Sequence, residues 1–345
     1  VIESLFGFRR RVWVMAFAVA LTACTPAVHI IEVTSPAESG PGSLRDAIER
    51  ANDAEEPVRI VSGLPGAASV GITRELPALS GDEIEIDARG LKLVGGSCVR
   101  SDGRRGCSGL VVTGSGIAIR NLDVGGFLFD GISVRSDSAN DVVISESYLH
   151  GNQDDGIGVS NGAQGIRITD CLIEGNGFRT KGKGVLVFDS ATATLKDNVI
   201  RGNRDGVTIS KNAQADLIGN LILRNYDKGL GVSGASLSGR GNEIRGNGLP
   251  DPARPAVPNG DGLRVGLTSS VRLVATRIVG NGDAAVVVMN DSVVELSDAT
   301  LAGNGGPAVQ ASGDAVVRLI DVTWRDNAAP QLRTHGEARI EREAR

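Results

Sequence analysis

From residue 108 onward the chain repeats itself about every 23 residues, and a fixed period of this length restricts it to a solenoid. Each unit opens with Gly or Ala and a short apolar alternation: GLVV at 109, GISV at 131, GIGV at 156, GVLV at 184, GVTI at 206, GLGV at 229, GLRV at 262, AVVV at 285 and AVQA at 308. A second alternating stretch follows (VVIS, IRIT, ATLK), then a third that ends near Asn (YLHGN, LIEGN, VIRGN, LILRN, EIRGN, RIVGN, TLAGN). A leucine-rich repeat needs a fixed Leu scaffold and a helical repeat needs a 3.6-residue period; neither is present. Period-2 runs of Val, Ile and Leu, punctuated by Gly, Asn, Asp and Ser, predict three short strands per coil and hence a parallel β-helix. About ten coils at a strand spacing of ~4.8 Å give a rod roughly 50 Å long. The recurrent Asn predicts a ladder of stacked side-chain amides bonded from coil to coil.

Composition sets the limits around this reading. The 345 residues include 47 Gly, 41% are hydrophobic and 22% charged, so the chain is neither disordered nor, lacking a G-X-Y period, collagen-like. The net charge of −5 argues against nucleic acid as a partner, and three His with two Met argue against a copper carrier. At the start, Arg9-Arg10-Arg11 precede a short apolar run, Val12 to Leu21, as in an export signal. Leu21-Thr22-Ala23-Cys24 resembles the bacterial lipobox. That resemblance implies a signal peptide over 1–23, cleavage before Cys24, lipid on its sulfur, and an exported protein held in the cell envelope, with Thr25 favouring the outer membrane. In an oxidising compartment Cys98 and Cys107 are a candidate disulfide across a polar loop, and Cys171 is expected as a buried thiol.

Over residues 58–330 the repeats resemble the right-handed β-helices of the pectin-lyase-like superfamily, an all-β solenoid with PbH1-type repeats. Such a rod needs covered ends. Ser43 to Asn52 is expected as a short capping helix, with Ser43 as N-cap, Asp46 three residues on, and Leu44, Ala47, Ile48 and Ala51 on one face. The stretch from Val33 to Asn52 also resembles the "CSLREA" opening of bacterial surface β-helix proteins. The expected division is therefore a lipid-anchored segment with cap (24–57), the β-helix (58–330), and a polar tail (331–345), with Trp324 and the tail finishing the stack.

Most coils take 22 or 23 residues, whereas those starting at Gly156 and Gly229 take 28 and 33. Both surpluses, GFRTKGK at 177–183 and GLPDPARPAVPNGD at 248–261, fall in the turn between the Asn and the next strand. In a stacked solenoid such insertions share one edge, where binding sites are commonly carried. Four of the seven aromatics outside the leader, Phe127, Phe129, Phe178 and Tyr226, fall in the same turn, and aromatic faces suit sugar rings.

Charge concentrates there too. The residue before each strand-opening Gly runs Asp130, Asp155, Lys183, Asp205, Lys228, Asp261, which either forms a solvated ladder or carries chemistry. Asn152-Gln153-Asp154-Asp155 adds a second carboxylate beside Asp155, one coil after Asp130. Phe129-Asp130-Gly131 and Gln153-Asp154-Asp155-Gly156 are similar to the Asn-Thr-Asp-Gly and Gln-Asp-Asp-Cys motifs of polygalacturonases, which implies acid–base hydrolysis of a glycan by Asp130, Asp154 and Asp155. That family's Gly-His-Gly is Gly175-Asn176-Gly177 here, and its Arg-Ile-Lys has no counterpart. Elimination on a uronate is the second chemistry: Ca²⁺ on Asp130, Asp154 and Asp155, with Lys183, Lys228, Arg179 or Lys181 on the adjoining coils as candidate base. Asn152, Arg179 and Lys181 complete the expected substrate-binding edge, whereas His150 is expected as a plain surface residue. The leading reading is thus a monomeric envelope lipoprotein that binds an acidic or neutral polysaccharide along this edge, with cleavage by the acids left open. The alternative is a non-catalytic adhesin or scaffold whose ladders only hold coils together.

Overall fold

The protein is described from a computed structural model that covers residues 28–100, 102–179, 181–248 and 260–343; the leader and Cys24 lie outside the described residues. Three parallel sheets of 13, 11 and 10 strands wind as one right-handed β-helix of about 12 coils. Pairing is in register from coil to coil: Ile144 lies between Ile119 and Ile168, Leu149 between Val124 and Ile173, and Val159 between Val134 and Val187. The inward side chain of every strand therefore stacks on an equivalent one, and these apolar columns form a single continuous core. Alternation puts the polar neighbours outside, which is why so short a strand suffices.

The turns are held by the amides. Asn152, Asn176, Asn203, Asn225, Asn247, Asn281, Asn304 and Asn327 form one buried ladder, each Nδ2 donating to the next Oδ1 at 2.7–3.1 Å. Each Oδ1 from Asn176 onward also accepts the backbone N–H of the Asn one coil back, as Asn203 does from Asn176 at 3.0 Å. The second Nδ2 proton goes to a strand carbonyl, Ile173 for Asn203 at 3.0 Å. A shorter ladder, Asn198–Asn220–Asn242, repeats the device at another corner. The strand-opening glycines follow from this packing: a Cβ on Gly184 would sit 2.7 Å from Asn203 Nδ2 and 2.7 Å from the Gly206 carbonyl.

At the N-terminal end the helix Leu44–Asn52 buries Leu44, Ala47, Ile48 and Ala51 against the core; Ser43 accepts from the Asp46 N–H and Asp46 reaches back to the Gly42 N–H at 3.0 Å. Two boundaries differ from expectation. The strand His29–Val33 already pairs with Val58–Ser62, so the rod starts before residue 58. Residues 332–343, expected as tail, form the strands Leu332–Gly336 and Arg339–Glu343, which pair with Val309–Gly313 and Val316–Ile320. An open coil end offers a full row of unpaired backbone groups, and polar strands accept it provided a few apolar residues, here Leu332 and Ile340, cover the core. These additions explain the coil count above ten. Cys98 and Cys107 are paired, with Cα atoms 5.8 Å apart, and Cys171 is a buried free thiol whose pKa is pushed up to about 12 by burial.

Asn203→Ala removes four hydrogen bonds and leaves buried donors on Asn176 unpaired, a loss expected to cost about 3 kcal/mol. Urea unfolding measures it; a loss under about 1 kcal/mol would mean that the ladder follows the coil rather than holding it.

Candidate functional site

Because the coils are in register, the turn before Ile132–Arg135 lies directly beneath the turn before Ile157–Ser160. Asp130 in the first and Asp154 and Asp155 in the second therefore converge, with one carboxylate oxygen of each within 4.8 Å of the other two. Asp155 is buried, and its Oδ1 accepts the Lys183 N–H at 2.6 Å. Asp130 is half-buried and accepts the Asp155 N–H at 3.2 Å. Its carboxylate lies over Gly158, where a Cβ would come within 2.9 Å of Oδ2. The glycine in the middle of that strand thus makes room for the acid.

Burial and like charge act together on this group. Burial, and then Asp154, lift the Asp130 carboxyl to about 6, against hydrogen bonds from Ser133 and the Asp155 N–H and the more distant Arg135. Asp155 is raised well above the carboxylate range by burial and by the two neighbouring acids, with Lys183 opposing. Three carboxyls this close cannot all ionise at little cost, so they either retain a proton or hold a cation. The first outcome supplies a general acid next to a carboxylate; the second is a hard oxygen-donor set.

The other expected residues divide. Phe127 is fully buried in the core, with Gly95 and Gly109 left without side chains to admit its ring, so it binds no substrate. Asn152 is the first rung of the amide ladder; its Oδ1 holds the Phe127 N–H at 3.1 Å and it too is buried. Phe129 packs beneath the disulfide loop, with the Arg100 guanidinium 5.9 Å from its ring centre. Phe178 and Tyr226 do meet on the edge, edge-to-face at 6.3 Å, and Arg179 reaches Gln153 at 3.3 Å, with Lys181 exposed beside them. Lys183 Nζ donates to the Lys181 carbonyl. Lys228 is 2.7 Å from Asp205, which is almost fully buried, so it serves as a counter-ion and not as the free base expected from the sequence.

Sequence reasoning passed over the chemistry of Asp227 and Asp261. Both are buried, each leaves one carboxylate oxygen without a hydrogen bond, and burial raises both, Asp261 to about 6 despite Arg264 at its side. For Asp261 the signal was the acid before Gly262, which a charge ladder explained equally well; for Asp227 it was only its place beside Lys228.

The architecture agrees with known folds. Residues 108–256 match the family model described as "Right handed beta helix region". Among curated protein sequences none matches this chain. Of solved structures, pectate lyase Pel9A is 15% identical with a TM-score of 0.50 over 88% of this chain and 79% of its own. ORF18 of Geobacillus virus E2 is 11% identical with a TM-score of 0.56, over 91% of this chain but 60% of that one. The catalytic unit of the thermostable GH87 alpha-1,3-glucanase from Streptomyces thermodiastaticus strain HF3-3 is 15% identical with a TM-score of 0.50 over 90% of this chain and 68% of its own. At such identities the likeness is one of fold.

The raised Asp130 pKa has a consequence for stability. Its folded value of about 6 lies above the ordinary 3.8, so its contribution is fully present below about 4 and is lost as pH rises through about 6. Asp130→Asn is expected to gain thermal stability relative to the native chain between pH 4 and pH 6 by a few degrees, and then to run parallel. A difference in melting temperature that is flat across this range would remove the case for a strained acid.

Proposed function

We propose that the protein acts on a polysaccharide along the turn edge that carries Asp130, Asp154 and Asp155, and that it cleaves the glycan by acid–base chemistry. The observation that supports this most is the convergence of the three carboxyls with Asp130 lifted to about 6. In this reading Asp130 gives its proton to the leaving glycosidic oxygen, and Asp154 takes one from the attacking water. Burial and the Asp154 charge keep the proton on Asp130, while Asp155, fixed by the Lys183 N–H, holds Asp130 in place through its own backbone N–H. Phe178, Tyr226, Arg179 and Lys181 supply the adjoining edge for sugar contact. Two of the similar folds named above belong to a pectate lyase and an alpha-1,3-glucanase, which supports carbohydrate as the class of substrate.

A second reading rests on the same three oxygens as a site for Ca²⁺, which would neutralise a uronate carboxylate and favour elimination. With Lys228 engaged by Asp205, Lys183 is the base that this reading requires. We further propose export and lipid anchoring through Cys24, with the rod acting as a monomer in the cell envelope; among the described residues no helix is long and apolar enough to cross a membrane.

Incubation of the purified chain with polyuronates and neutral glycans, with and without Ca²⁺, tests both readings. New reducing ends are expected from the native chain and at least a hundredfold fewer from the Asp154→Asn/Asp155→Asn variant. Release that needs Ca²⁺ and gives unsaturated ends would select elimination. No release from any glycan would leave the adhesin or scaffold as the function.

A further inference from the structure

The 11-stranded sheet carries a second constellation, on the other flank of the turn that holds the acids. The strand Tyr148–His150 points both rings outward, two residues apart, and they stack with centres 4.3 Å apart. His150 is fixed from three sides. Its Nε2 is 2.9 Å from Asp123, Tyr148 lies against one face, and the ring occupies the space over Gly125, where a Cβ would be 2.5 Å from Cε1. In the next coil Glu174 accepts from the Tyr148 hydroxyl and from Arg201 Nε, and these contacts, the tyrosine first, hold its carboxyl below the usual range. Glu174 is therefore an anion with its charge already matched. Around these residues lies an open depression of about 440 Å³, completed by Gly151, Gly175, Gly202 and Arg224.

Arg224 breaks the rule of its position. The residue before the ladder Asn is Gly with φ between +59° and +68° at 151, 175, 202, 246, 280 and 303, whereas at 224 an arginine is held at φ +51°. A left-handed backbone costs a residue with a side chain about 1–2 kcal/mol, and such strain concentrates at functional positions. Left-handed non-glycine residues occur at other turns of the chain, but at the position before the ladder Asn, apart from Asp326 in the final coil, Arg224 is the one described case from Asn152 onward. Arg224 adds a second arginine to the lining that holds Arg201, whose Nε is the nitrogen bonded to Glu174. Neither the acid edge nor the core needs it there, in a chain whose net charge is −5.

We propose that this depression is a binding site for a sugar that carries a carboxylate, separate from the acid cluster and not dependent on the function proposed for it. The two guanidiniums suit the planar, singly charged carboxylate. The Glu174 carboxylate and the fixed imidazole of His150 are polar partners for sugar hydroxyls, and Glu174 disfavours a more highly charged phosphate. A uronate unites the anion and the hydroxyl donors on one ring.

Titration calorimetry of the whole purified chain with trigalacturonate, maltotriose and inorganic phosphate tests the assignment. Trigalacturonate is expected to bind, maltotriose and phosphate at least tenfold more weakly. Arg224→Gly restores the residue that the other coils use, so it is expected to melt at or above the native temperature and to lose trigalacturonate affinity at least tenfold. Asp154→Asn/Asp155→Asn is expected to keep it. Equal affinity in the Arg224→Gly variant, equal binding of maltotriose or phosphate, or the absence of any binding would overturn the proposal. Loss of affinity only in the double Asp variant would assign the uronate to the acid edge, and would equally overturn it.

Discussion

The stacking of identical buried amides governs much of this structure. A side-chain amide carries two donors and an acceptor with two lone pairs, and burying any of them unpaired is costly. In the eight-membered ladder each interior rung meets these needs with the rung above, the rung below and one strand carbonyl. That is possible only if successive coils superpose with no drift. The ladder therefore enforces register, and register aligns the apolar columns and the outward side chains of the neighbouring strands. The strand-opening glycines are a secondary consequence, since the amide and the next coil's carbonyl occupy the place of a Cβ.

Fixed register is also what makes chemistry available. Residues 25 positions apart in sequence, such as Asp130 and Asp155, become neighbours through one coil step of ~4.8 Å. A single outward acid would be solvated and ordinary; three brought together at a half-buried turn must keep a proton or share a cation. The same step sets Glu174 between Tyr148 and Arg201 on the adjoining sheet. Glycine has a distinct role in both places: Gly158 and Gly125 are outward strand positions emptied so that a neighbour's carboxylate or imidazole can lie flat on the backbone.

What a side chain does in a solenoid depends on small differences between coils. Phe127 and Phe129 are two residues apart in one turn, yet the first fills the core below Gly95 and Gly109 while the second covers the disulfide loop. Lys183 and Lys228 occupy equivalent positions before a strand-opening glycine. One bonds the Lys181 carbonyl, while the other neutralises Asp205. Equivalence in the repeat fixes where a residue is, not which partner it finds.

The amino-acid sequence alone determined the solenoid, its three strands per coil, the amide ladder, the helical cap from Ser43 and the turn on which the acids meet. All of these are periodic or local, and a period of about 23 residues makes them legible because each repeat states the same constraint again. The tertiary structure decided everything that depends on one coil differing from the next. It buried Phe127 and Asn152, engaged Lys228, drew residues 29–33 and 332–343 into the rod, and raised Asp130, Asp155 and Asp261. It also assembled Tyr148, His150, Glu174, Arg201 and Arg224 around one depression. The reason is physical. Burial, desolvation and charge coupling depend on distances between coils, and a linear pattern records which residues recur but not how deeply the neighbouring coil covers them.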